Sequence, residues 1–212
     1  MNVDYMSHSG SDLLVVNAAR TSFAKESKKL DDKDIKLIRF LAREGHWLPF
    51  RHPQLTLRIY APLFVIRQLD KHQVGFSTSE VSRRYVTEEP EFYRPLWRHK
   101  PEGSIKQGSG VEYEPHEWPI LDAGYDVAIG TALETYKYLM KQGVAPEQAR
   151  VVLPQNMYTT QVKTGSLLGW LQMYKLRSDD HAQVEIQDLA NLVYERLLVL
   201  FPESTKAIME FI

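Results

Sequence analysis

Between Arg67 and Tyr85 the chain collects groups that suit a phosphorylated, polar ligand. They run Arg67, Gln68, Asp70, Lys71, His72 and Gln73, then Gly75-Phe76-Ser77-Thr78-Ser79, then Glu80, Ser82, Arg83, Arg84 and Tyr85. A core cannot absorb so many donors without partners. A guanidinium grips phosphate oxygens through parallel N–H bonds, and Arg83 and Arg84 stand side by side. A carboxylate and a hydroxyl beside them, Glu80 and Ser82, suit a ribose or the edge of a base. The same composition also describes a solvated loop held by surface ion pairs.

Three further polar groups interrupt otherwise apolar sequence. In Arg177-Ser178-Asp179-Asp180-His181-Ala182-Gln183-Val184-Glu185, Arg177 ends one helix and Asp179 or Asp180 is placed to cap the next. His181 and Glu185, four residues apart, are expected to share a helical face. That spacing also occurs in metal sites. A metal needs three or four converging ligands and no third is evident, so capping and ion pairing are favoured and no metal is expected. Arg150 sits in Ala149-Arg150-Val151-Val152-Leu153-Pro154, where it either snorkels to solvent or serves a ligand. Gly45-His46-Trp47-Leu48-Pro49-Phe50-Arg51-His52-Pro53 puts two histidines and an arginine in a turn-rich linker. It reads equally as a ligand site or as a loop packed by Trp47 and Phe50.

Other chemistries are excluded. The chain has no cysteine, so it has no disulfide, thiolate metal ligand or cysteine nucleophile. No Gly-x-Gly-x-x-Gly follows a strand, and there is no serine-hydrolase elbow. Gln107-Gly108-Ser109-Gly110 lacks the lysine and the flanking strand of a Walker loop. A net charge of −1 creates no global attraction to nucleic acid or membrane. No apolar run is long enough to span a bilayer. The first seven residues lack the basic region and apolar run of a signal peptide, so the expected location is cytoplasmic.

The elements that must position these groups can be read from periodicity. Residues 32–44 predict a helix with Ile35, Ile38, Leu41 and Ala42 on one face, acidic residues at its start and Gly45 at its end. Alternation of Leu55, Leu57 and Ile59 with polar neighbours predicts a half-buried strand over 54–60. Pro62 opens a buried helix from which Arg67, Gln68 and Lys71 emerge. Residues 75–119 read as one long irregular excursion, a length that usually carries function. Helices follow over 121–141, 146–153 and 166–174, with a strand-like stretch over 157–163. A last long helix runs through Ile186, Leu189, Val193 and Leu197 and stops near Pro202. Helices dominate two or three strands that do not alternate with them. That predicts an α+β fold: helices packed on a small, mostly antiparallel sheet, in a single domain over 1–212 with a long irregular active-site loop.

Taken in order, these constellations resemble the flavin-dependent thymidylate synthases. The family's signature is Arg-His-Arg, seven residues, then Ser, continuing toward Arg-Tyr. Lys71-His72-Gln73, Val74 to Val81, then Ser82-Arg83-Arg84-Tyr85 is similar to it. Ala61-Pro62-Leu63-Phe64-Val65-Ile66-Arg67-Gln68 looks like the helix that leads into the motif. Ala18-Ala19-Arg20-Thr21-Ser22-Phe23 resembles an N-terminal Ala-Ala-Arg-Val-Ser-Tyr. Gly45-His46 through His52 resembles His-x-x-Pro-Phe-x-His. The Arg150 and Arg177–Glu185 segments match two C-terminal motifs, so the likeness covers about residues 13–202. The departures fall at positions that in the family belong to the flavin side of the site: Lys71 and Gln73 replace both arginines, the spacer is one residue longer, Ser79 stands where asparagine is common, and Ser166 and Leu168 stand where Asn-x-Arg is frequent. Lys71 keeps a charge and loses the planar fork.

The resemblance implies reductive methylation of deoxyuridine monophosphate (dUMP) at C5. Methylenetetrahydrofolate is the implied carbon donor, and FAD reduced by NADPH the hydride source. It implies Gln68, Glu80, Ser82, Arg83, Arg84, Arg150 and Arg177 on the nucleotide, with Arg177 polarising the uracil and Ser82 positioning the base. It implies Lys71, His72, Gln73, Glu80, Ser166, Gln172, His46 and His181 toward FAD. It further implies a homotetramer with shared active sites. With no cysteine to attack the ring, activation is expected to be electrostatic, by donors aimed at the uracil carbonyl. The altered Lys71-His72-Gln73 also suits a nucleotide-binding homologue with weakened or lost flavin redox activity. A third reading, single-strand binding by Arg83, Arg84, Arg94 and Arg98 among aromatics, is opposed by the net charge and the lack of a further basic stripe.

Overall fold

The structure, a computed structural model, describes residues 1–101 and 108–212. Gln107 of the Gly-Ser-Gly stretch lies outside the described residues. Four strands form one antiparallel sheet in the order β1-β2-β4-β3: β1 Asn2–Ser9, β2 Gln54–Pro62, β3 Phe76–Glu80 and β4 Tyr158–Ser166. Among the described residues there are eight α-helices: α1 Asp12–Arg20, α2 Asp32–Arg43, α3 Leu63–Leu69, α4 Trp118–Lys141, α5 Pro146–Ala149, α6 Leu167–Arg177, α7 Val184–Leu200 and α8 Pro202–Phe211. The α+β architecture is the expected one.

Local chemistry explains most boundaries. Asp31 caps α2, accepting from the Lys33 and Asp34 N–H groups, and the Asp34 carboxylate reaches back to the Asp31 N–H. Asp34 is buried and pairs with Arg20 from α1, which ties the two helices together. Gly45 takes a positive φ of 69° just past α2, a conformation that side chains with a Cβ resist. Ser166 ends β4 and caps α6, its Oγ accepting the Gly169 N–H at 3.1 Å.

β2 alternates as its sequence requires: Leu55, Leu57, Ile59 and Ala61 are fully buried, and α3 and the outer turns of α6 and α7 join the same core. Directly paired residues of antiparallel strands point to the same face. Leu57 pairs with Lys163 and Lys163 with Thr78; Ile59 pairs with Gln161 and Gln161 with Glu80. The core face is therefore apolar on β2 and polar on β4 and β3.

Five expectations are corrected. Residues 76–80 are an edge strand and not part of an irregular excursion; four of the five are exposed, so no alternation marks them, and backbone pairing with β4 holds them. The strands number four, because β1 buries only Val3 and has no amphipathic pattern to read. The long helix α7 does stop near Pro202, at Leu200, but it is not the last: Pro202 occupies the first turn of α8. His181 and Glu185 do not share a helical face, because α7 starts at Val184, with Gln183 as an N-cap that makes no side-chain bond. Asp179 accepts the His181 N–H in a tight turn instead of capping α7. Glu185 is buried against Arg98, Nη2 to Oε1 at 2.6 Å.

Candidate active site

The C-terminal ends of α3 and α6, strand β3 and the turn after α5 carry most of the groups singled out by sequence. A cavity of about 590 Å³ is lined by Arg67, Glu80, Arg83, Glu147 and Arg150, with Tyr60 and Tyr158 stacked at 4.6 Å on its wall. Three guanidiniums facing one hollow give it an anion-binding rim. Two of them also bond to backbone carbonyls. Arg83 donates to the Glu88 carbonyl, and Arg150 Nε donates to the Glu147 carbonyl at 3.3 Å. Arg84, at the edge, pairs with Glu147 at 2.8 Å, both about half exposed. Ser82 Oγ accepts the Arg84 N–H at 3.3 Å, so it fixes the turn that carries the two arginines.

A second cavity, about 710 Å³, is lined by Gln68, Arg177, Asp179, His181 and Gln183. Gln68 Nε2 donates to Gln183 Oε1 at 2.8 Å. Arg177 Nε donates to His72 Nε2 at 3.0 Å. Burial lowers the His72 pKa from 6.5 to about 4, with Arg177 and Lys163 adding to the shift. The ring is therefore neutral at pH 7, with the Nε2 lone pair facing Arg177. His181 lies on the surface against Asp179, Nδ1 to Oδ1 at 2.9 Å. Hydrogen bonds from the His181 backbone and then its ring hold the Asp179 pKa down.

A third hollow, about 390 Å³, adjoins the second through Lys175 and Leu176 and is lined by Lys71, His72, Gln73 and Gln172. Two ammonium groups and two amides on one open rim fit a pyrophosphate: charge and donors are both present. The donor set suits the diphosphate of FAD even with Lys71 and Gln73 in place of arginines.

Behind these hollows runs a row of buried polar side chains on β4. Thr159 Oγ1 donates to Glu80 Oε1 at 3.1 Å. Gln161 Nε2 donates to Asp70 Oδ2 at 2.8 Å and to Glu80 Oε2 at 3.4 Å. Lys163 Nζ meets Asp70 Oδ1 at 2.8 Å. Thr159, Gln161 and Lys163 were not among the residues expected at the site; the signal available was their period-two placing in the strand-like stretch, which puts all three on one face of β4, the core face.

The structure thus sorts the expected residues into groups. Glu80, Arg83 and Arg150 share one cavity with Arg84 at its edge; Gln68, Arg177 and His181 share another; Lys71, His72, Gln73 and Gln172 share the third. Ser82 and Arg177, both expected at the reacting base, do not share a cavity within one chain. His46 lies apart, in a hollow of about 770 Å³ with Arg20, Phe23 and Phe40. Ser166 is buried with its hydroxyl engaged as the α6 cap. Among the described residues no three His, Asp or Glu side chains converge as metal ligands, and no helix is long and apolar enough to cross a membrane.

Known proteins share both sequence and fold with this chain. The family model described as "Thymidylate synthase complementing protein" matches residues 3–203. A flavin-dependent thymidylate synthase from Thermosipho africanus is 36% identical over 207 residues, covering 95% of this chain and 88% of that protein. One from Tropheryma whipplei is 34% identical over 224 residues, covering 98% and 91%. The crystal structure of the UMP/dUMP methylase PolB from Streptomyces cacaoi bound with 5-Br dUMP superposes with a TM-score of 0.87 at 31% identity, covering 99% of this chain and 95% of that one. The arginine-rimmed cavities, the neutral histidine on Arg177 and these matches over nearly the full length lead to one assignment: the chain belongs to the thymidylate synthase complementing protein family, the flavin-dependent thymidylate synthases.

Proposed function

We propose that the chain catalyses reductive methylation of dUMP at C5 to dTMP, with methylenetetrahydrofolate as carbon donor and FAD and NADPH as the redox pair. The observation that carries the reading is Arg177, held by the neutral His72 and facing the cavity shared with Gln68. A guanidinium fixed at Nε leaves its terminal N–H groups free to point at a carbonyl that gains negative charge. That is the activation open to a chain with no cysteine to add to the uracil ring.

Arg84, Arg150 and Arg83 hold the phosphate, with Glu80, Gln68 and the Ser82–Arg83 backbone on the ribose and base. Ser82 positions and does not attack, since no general base stands beside its Oγ. Lys71, His72, Gln73 and Gln172 form the flavin side, so the divergent Lys-His-Gln segment still serves the cofactor. FAD, when bound, supplies the hydride that completes the methyl group. His46, Ser166 and His181 belong to the flavin and folate side.

Arg83 and Arg177 line different hollows of one chain, and His46 lines another, apart from both. That separation supports active sites built from facing subunits of a homotetramer, and sedimentation of the purified protein tests it. The whole reading is tested by release of the C5 hydrogen of dUMP. Release is expected only with FAD, NADPH and methylenetetrahydrofolate together; release without flavin, or none with all three, rejects the reading.

A further inference from the structure

Lys163 stands where the sheet calls for an apolar side chain. It lies on the core face of β4 opposite Leu57 and is 1% exposed. A buried ammonium is costly unless paired and hydrogen-bonded. Its partners are Asp70 Oδ1 at 2.8 Å and Thr78 Oγ1 at 2.9 Å, with the face of Phe76 5.3 Å away. Asp70, by contrast, is partly exposed, its side chain at 39%. It is the C-cap of α3, where the helix dipole disfavours a negative charge. Buried ion pairs are often no more stabilising than apolar residues of similar volume. What this pair does achieve is placement. Asp70 directly precedes Lys71, His72 and Gln73, and the bond to Lys163 ties the end of α3 to β4. Gln161 extends the tie by donating to both Asp70 and Glu80.

We propose that Lys163 is a positioning residue for the flavin side: through Asp70 it fixes the end of α3, and so the direction in which Lys71, His72 and Gln73 present their donors to FAD. The inference rests on the function proposed above. Lys163 also acts on His72. The charged groups facing that ring are Arg177 from α6 and Lys163 from β4, with Lys71 and Lys175 on the rim of the same hollow. All are cations, and together they favour the neutral ring whose Nε2 accepts from Arg177.

The test compares the wild type with Lys163→Met and with the double variant K163M/D70L, which removes both charges at once. FAD affinity of the cofactor-free protein is read from quenching of flavin fluorescence, and the His72 titration by NMR. The double variant is expected to melt at or above the wild-type temperature. It is nevertheless expected to bind FAD on the order of tenfold more weakly, as when groups that orient other binding residues are lost. His72 is expected to titrate at a higher pH in both variants. Asp70→Asn keeps the size of the side chain and breaks the charge pairing; it serves as the test should the double variant not fold, with the same loss of affinity expected. Wild-type FAD affinity in a folded double variant, or in Asp70→Asn where that is the test, overturns the proposal. Absence of FAD binding or of C5-hydrogen release in the wild type overturns the functional reading and this inference with it, so the two failures are distinguishable.

Discussion

β2 and β4 lie side by side in one sheet, yet their core faces are opposite in kind. β2 offers Leu55, Leu57, Ile59 and Ala61; β4 offers Thr159, Gln161, Lys163 and Gly165. All eight are buried, so exposure does not separate the two strands. What differs is the neighbour on the far side. β2 sends its side chains into the apolar core, whereas the side chains of β4 bond to Asp70 at the end of α3 and to Thr78 and Glu80 on the edge strand β3. The comparison suggests a division of labour: β2 supplies stability through apolar burial, and β4 spends buried polar bonds on holding Asp70 and Glu80 in place.

The largest effect should come from breaking the β2 half. Leu55 is fully buried, and Leu55→Ala should destabilise the fold by about 2–5 kcal/mol, from lost transfer energy and the cavity left behind. Chemical denaturation measures this directly. Turnover per folded molecule should stay near the wild-type value, and a large loss there would show that the two halves are not separable. Arg177→Ala should do the reverse. Loss of a donor aimed at developing charge lowers turnover about a hundred- to a thousandfold, while removal of a partly buried side chain at the end of α6 should cost far less stability than Leu55→Ala. Near-wild-type turnover in that variant would remove Arg177 from the reaction.

Acid separates the halves without a mutation. His72 has its pKa lowered from 6.5 to about 4, mainly by burial, then by Arg177 and Lys163. Between those values the unfolded chain binds the proton and the folded chain does not. The stability that the neutral ring contributes is therefore fully present above about pH 6.5 and is lost as pH falls toward about 4. Protonated His72 would also face Arg177 as a like charge with no lone pair to offer it. The denaturation midpoint and turnover should thus fall together over that window. His72→Gln, whose amide oxygen can still accept from Arg177, should flatten the part of the pH dependence that belongs to this group. An unchanged acid limb in His72→Gln would show that other groups cause it.

The same contrast explains what could be read from residues alone. β2 was legible because alternating Leu55, Leu57 and Ile59 follow the two-residue period of a strand packed on one side, and α2 because Ile38, Leu41 and Ala42 return on one face after a capping box. β1 and β3 were not, since edge strands with one or no buried residue are held by backbone pairing, which leaves no trace in side-chain pattern. β4 was legible as a strand, but not the role of its polar row: nothing in the spacing of Thr159, Gln161 and Lys163 tells that their partners, Asp70 and Glu80, arrive from elsewhere in the chain. Arg150 and Arg177 were found through the resemblance. Their distribution over separate cavities depends on long-range packing that no local spacing encodes.

The smallest effect belongs to the surface of the nucleotide side, and it sharpens the comparison from the other end. Arg84 and Glu147 pair at 2.8 Å, but each side chain is about half exposed. Water screens such a pair and its ordering costs entropy, so Glu147→Gln should change stability by less than about 1 kcal/mol. Its consequence for binding is different. Arg84 cannot pair fully with both a phosphate and Glu147, and Glu147 also places a negative charge in the cavity rimmed by Arg67, Arg83 and Arg150. Removing that charge should tighten dUMP binding a few-fold, on the order of what an exposed pair of this kind is worth. Titration calorimetry at two salt concentrations checks this, because the gain should shrink as salt screens the carboxylate. Unchanged or weaker dUMP binding in Glu147→Gln would mean that Arg84 meets the phosphate from a conformation in which Glu147 no longer competes.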